Sequence, residues 1–157
     1  MMHPFMSAGF ALLPEAMQSP AAMAMLYAIG MQESRFLHRR QIRGPARGFW
    51  QFEKAGIAGV LNHPATAIII RRILIRLRYR VSVEESHAAI QHNDALACCY
   101  ARLLLWPIPE PLPGPDEPEE GWRQYLAAWR PGDPRPETWN GYFKEALRLS
   151  MEGKWTS

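Results

Sequence analysis

An unbroken apolar stretch, AAMAMLYAI, follows Ser19 and Pro20 and gives way abruptly to MQESRFLHRRQIR, where charged and hydrogen-bonding groups crowd together. Serine followed by proline reads as a helix start. The hydroxyl accepts from a free N–H of the first turn, and proline has no N–H to lose there. The pattern predicts a helix over 14–36 that is apolar on almost every face, hence a core helix rather than a surface one. Its polar end empties into residues 44–59, where Gly44, Gly48, Gly56 and Gly59 stand among aromatic side chains and allow tight turns in a functional loop.

Two further helices are expected over 64–80 and 83–105. The branched residues in IIIRRILI also suit a strand, but Pro64 at the start and the length favour a helix. Arg71, Arg72, Arg76 and Arg80 then fall on one side of it. The second helix should break near His92 and Asn93, with Asn93 or Asp94 capping its later half. Residues 107–121 hold six of the chain's 14 prolines beside an acidic cluster, which marks an exposed loop. A short helix from Trp122, a Pro/Gly turn at 131–136 and a last helix carrying Trp139, Tyr142, Phe143 and Leu147 at helical spacing complete an all-α fold.

With 157 residues and 48% hydrophobic side chains, the chain can bury one core, so a single domain over 1–157 is expected. The formal charge of +3 suits an anionic polymer without identifying one. Cys98 and Cys99 are adjacent in an apolar run and read as buried free thiols, which leaves no disulfide framework. No apolar run reaches the length of a membrane span. The first residues, interrupted by Pro4 and Pro14 and lacking a preceding cation, do not read as an export signal.

The chemistry concentrates at Glu33. A carboxyl at the end of an apolar helix borders packed side chains while still reaching a cleft, and desolvation raises its pKa. A carboxylic acid that stays protonated near neutral pH can protonate a leaving sugar oxygen. The five histidines are scattered, without HExxH or CxxC spacing, and no Gly-x-Ser-x-Gly occurs, so neither a metal, a cofactor nor a nucleophile elbow is assigned.

Glu33-Ser34, followed 15 residues later by Gly48-Phe49-Trp50-Gln51, resembles the signature of lytic transglycosylases and goose-type lysozymes: a Glu-Ser pair closing a helix, then a Gly-Leu-Met-Gln type segment. The resemblance implies a lysozyme-like fold with its cleft beside the helix end, and a muramidase acting on the glycan strands of peptidoglycan. It implies Glu33 as the catalytic acid/base, Ser34 as orienting that acid or the substrate, Gly48 as allowing close approach of the substrate, and Gln51 as a positioning residue in the cleft. Phe49 and Trp50 replace the usual aliphatic pair, and Trp50 is either core or a ring stacked on a sugar face. Goose-type enzymes place an acid two residues after the glutamine. Glu53 stands there, either as a second carboxylate activating water or as an exposed first-turn residue of the next helix.

The third family motif, Ala-Tyr-Asn-Ala-Gly, is matched only by Ala127-Ala128-Trp129-Arg130-Pro131-Gly132. Trp129 takes the tyrosine position, from which an indole N–H could donate to Glu33, and Arg130 takes the asparagine position. The whole pattern resembles small phage and prophage proteins. A wall enzyme that shows neither an export signal nor a membrane span is expected to be made in the bacterial cytoplasm and to reach the wall through a holin or within a virion, as phage enzymes do; a monomer is expected. Two other readings rest on different residues: nucleic-acid binding by the arginine-rich stretches, and a structural tail protein with a degenerate lysozyme fold, favoured by the altered third motif.

Overall fold

Ser19 and Pro20 start the central helix as their side chains dictate, and Ser19 Oγ accepts from the N–H of Ala22 at 3.1 Å. The computed structural model describes residues 3–151, so the ends of the expected 1–157 domain lie outside the described residues. They form eight α-helices: α1 (Pro4–Ala11), α2 (Pro20–Ser34), α3 (Lys54–Asn62), α4 (Ala67–Arg76), α5 (Val83–Ala89), α6 (Asp94–Leu105), α7 (Pro118–Trp129) and α8 (Pro136–Met151). Among the described residues there is no strand, only isolated bridges pairing Arg47 with Arg40 and Phe52. The all-helical expectation holds.

α2 is the axis of the fold and buries Ala22 and every residue from Ala24 to Gly30. It packs most extensively against α8, while α1 packs against α6. A Cβ at Gly9 would come within 2.6 Å of Cys98 Cβ and 2.8 Å of the Ala95 carbonyl, so α1 and α6 touch nearly backbone to backbone. Cys99 Sγ donates to the Gly9 carbonyl at 3.2 Å in this seam. Both cysteines are free and buried, and burial pushes the Cys99 thiol up to about 12.

Several expected boundaries move. The predicted 14–36 helix splits: Pro14 precedes a short 3-10 turn at Glu15–Met17, and the α-helix begins only at Pro20 and ends at Ser34. α1 was not legible, because its first turn lacks a capping side chain and its residues show no polar face. Gly56 and Gly59, expected in a loop, lie within α3, where Ile57, Val60 and Leu61 supply enough buried apolar surface to hold the helix. The 64–80 helix shortens to Ala67–Arg76, since Pro64 sits in a turn whose buried Thr66 bonds the Val60 carbonyl at 2.7 Å. The break in 83–105 falls where expected, with Asn93 Oδ1 accepting from the N–H of Leu96. α7 begins inside the predicted loop, with Pro118 in its first turn followed by Glu119 and Glu120, all suited to a helix N-terminus.

Candidate active site

The last turn of α2 ends in a sharp reversal. Arg35 and Phe36 both take left-handed backbone angles, at φ 54° and 55°. The Phe36 ring folds back over Gly30 so closely that a Cβ there would meet Cζ at 2.1 Å. Ser34 locks the reversal. Its buried hydroxyl donates to the Phe49 carbonyl at 2.7 Å and accepts from the N–H of Phe36 at 3.1 Å, tying the helix end to the glycine-rich segment.

Glu33 therefore stands on a fixed helix end, half-buried, in the wall of an open cleft of about 1170 Å³. The cleft runs between the end of α2, the start of α3 and residues 127–135 at and after the end of α7. Burial pushes the Glu33 carboxyl up to about 7. One hydrogen bond opposes that rise: Tyr125 Oη donates to Glu33 Oε1 at 2.6 Å. Burial and the nearby carboxylate hold the Tyr125 phenol well above its ordinary pKa, so it remains a donor across the physiological range. With Oε1 accepting from Tyr125, the acid proton of neutral Glu33 belongs on Oε2.

Tyr125 is itself fixed by aromatic packing. Its ring stacks on Trp139 at 5.6 Å with an interplanar angle of 8°, and Trp122 and Trp129 flank it at 5.3 and 6.2 Å. Trp139 is buried and anchored in turn by donation from Nε1 to the Pro118 carbonyl at 2.8 Å. Beside this wall Gln32 donates to the Arg135 carbonyl and accepts from Thr138, which pins the 131–136 turn to the end of α2.

The other sequence-predicted residues divide into cleft and core. Glu53 is exposed on the cleft wall and precedes α3 without capping it. Gln51 lines the cleft half-buried, with its amide held by the Gly48 carbonyl at 2.8 Å. Arg130 is exposed at the cleft and closes α7 with φ 47°. Arg35 lines the cleft too, and neither arginine has an ion-pair partner among the described residues.

Three expectations are corrected. Trp50 has no exposed surface and its Nε1 donates to the Leu26 carbonyl at 2.9 Å, so it is a core residue and cannot stack on a sugar. Trp129 does not reach Glu33: its Nε1 donates to the Trp50 carbonyl at 2.9 Å, while its ring packs against Phe52 and lines the cleft. Gly48 is buried away from the cleft lining. Its φ of 74°, and the 3.1 Å that would separate a Cβ from the Ile90 carbonyl, show that glycine serves a tight turn rather than close approach to substrate.

The sequence reading missed Tyr125. It lies four residues before Trp129 on the same helix, hence on the same face one turn earlier, and helical phase rather than motif alignment was the signal that pointed to it. Among the described residues no helix is long and apolar enough to cross a membrane, and no group of three or more His, Cys, Asp or Glu could hold a metal ion. Compared with known proteins, the chain matches no family model, no curated protein and no solved structure.

Proposed function

We propose that this protein is a lysozyme-like muramidase that cleaves the β-1,4 bond between N-acetylmuramic acid and N-acetylglucosamine in peptidoglycan. One observation carries the reading: a half-buried glutamate at the end of the core helix, held by a tyrosine in an open cleft, with its pKa raised to about 7. A surface carboxylate would be ionised at that pH and could not serve as an acid. The Glu33-Ser34 and Gly48-to-Gln51 resemblance supports the same assignment.

Glu33 Oε2 gives its proton to the glycosidic oxygen as the C1–O bond breaks, and Tyr125 donates to the carboxylate that results. The base that takes the proton of the incoming nucleophile depends on that nucleophile. If it is water, a reducing end forms and Glu53, which also lines the cleft, is the carboxylate proposed to take the proton. If it is the 6-hydroxyl of the same muramic acid, a 1,6-anhydro end forms and Glu33 suffices. Arg35 and Arg130 are placed to meet the carboxylates borne by the glycan strand.

Incubation with purified sacculi, followed by mass spectrometry of the soluble products, tests the proposal. Release of muropeptides that disappears in Glu33→Gln is expected. Folded protein that releases nothing from an accessible wall overturns it.

A further inference from the structure

The outer face of α4 carries an unusual combination. Ile68 and Ile75, seven residues apart, lie one above the other and are 61% and 66% exposed. At 100° per residue, Arg71 falls to one side of this ridge and Arg72 and Arg76 to the other, while Ile70, Ile73 and Leu74 on the opposite face are buried in the core. Residues 67–80 hold five arginines and no acid. None of the five has an ion-pair partner among the described residues. The nearest acidic residues in sequence, on α5, are otherwise engaged: Glu84 faces Lys54 at 3.8 Å and Glu85 accepts from the Arg80 backbone N–H.

We infer that this face docks on an anionic lipid surface. Arginines alone would suit any polyanion, but two large apolar side chains held in water between them need an occupant with an apolar interior behind its negative charge. A bilayer with acidic headgroups offers both. The isoleucines enter the acyl boundary while the arginine stems lie along it, with their guanidinium groups at the phosphates. A nucleic acid would take the arginines and leave the isoleucines in water. None of these five side chains lines the cleft, so the surface is independent of the reaction proposed there.

The test is co-sedimentation of the full chain with vesicles of phosphatidylglycerol and phosphatidylcholine, against vesicles of phosphatidylcholine alone and against a fluorescent DNA duplex. Binding to the anionic vesicles only, weakened by salt, is expected. Replacing both isoleucines by glutamine, which retains helix propensity on an exposed face, should lower vesicle affinity about tenfold with the far-ultraviolet circular dichroism unchanged. Replacing Arg71, Arg72 and Arg76 together by glutamine should lower it about a hundredfold. Absence of vesicle binding, equal binding to neutral vesicles, or anionic binding that the isoleucine replacements leave intact would overturn the inference. Tighter binding to the duplex than to vesicles would reassign the face to nucleic acid.

Discussion

Tyr125 on α7 and Glu33 on α2, 92 residues apart in sequence, meet through a single hydrogen bond of 2.6 Å from the phenol to Oε1. This contact sets two opposing influences on one carboxyl. The packed helix end raises its pKa and the phenol restrains the rise, leaving it near 7. A group tuned in this way is half protonated close to neutrality, the condition under which one residue can both give and retrieve a proton.

If the proposed muramidase reaction holds, replacing Glu33 by glutamine is expected to lower its turnover by roughly a thousandfold or more, since no other acid shares its position. The same change should stabilise the protein at alkaline pH. The unfolded chain releases this proton near 4.5 and the folded chain only near 7, so native stability falls as pH rises between those values. The loss amounts to about 3 kcal/mol at most. Denaturant unfolding should show that decline in the parent protein and its absence in Glu33→Gln.

Activity should follow the neutral form of Glu33 and decline as pH rises through about 7. Tyr125→Phe removes the bond that favours the carboxylate, so the alkaline limb of the rate profile should move to higher pH. A rate loss on the order of tenfold at the optimum is expected as well. An unmoved limb would show that the phenol does not act on this acid.

Ser34→Ala should destabilise the fold by about 1–3 kcal/mol, because the Phe49 carbonyl and the Phe36 N–H both lose a buried partner. Chemical denaturation measures this directly. Ser34→Thr, which keeps the hydroxyl, should lose less stability than Ser34→Ala.

Trp50 and Trp129 should separate cleanly. Trp50→Ala is expected to cost about 3–5 kcal/mol of stability through the cavity it leaves. Trp129→Ala, which strips a ring from the cleft wall, should chiefly raise KM on glycan strands. The reverse pattern would restore Trp50 to a sugar-binding role.

Much of the helical frame was legible because local chemistry dictated it. Ser19 with Pro20, Asn93, and the spacing of Trp139 and Phe143 each act within one or two turns. α1 escaped notice because no side chain caps its start, and the extent of α3 was obscured because two glycines interrupt it while buried Ile57, Val60 and Leu61 hold it. Glu33 was legible from its place at the polar end of an apolar run. Its partner was not, since Trp129 occupies the motif position while Tyr125, a turn earlier, occupies the space. Trp50 shows the converse: the residue type suited a sugar, and only three-dimensional packing put it beneath the surface.

Arg35, Gln51 and Arg130 hold left-handed backbone angles that ordinary side chains adopt only at a cost, and all three line the cleft. An engineer seeking heat tolerance would choose these positions first, since glycine or asparagine relieves such angles. Each replacement would also remove the present side chain, and with it a guanidinium or a long amide, from the cleft wall. Selection for thermal endurance alone should therefore drift toward a sturdier protein with a plainer cleft, and a useful screen must read the proposed glycan cleavage alongside melting.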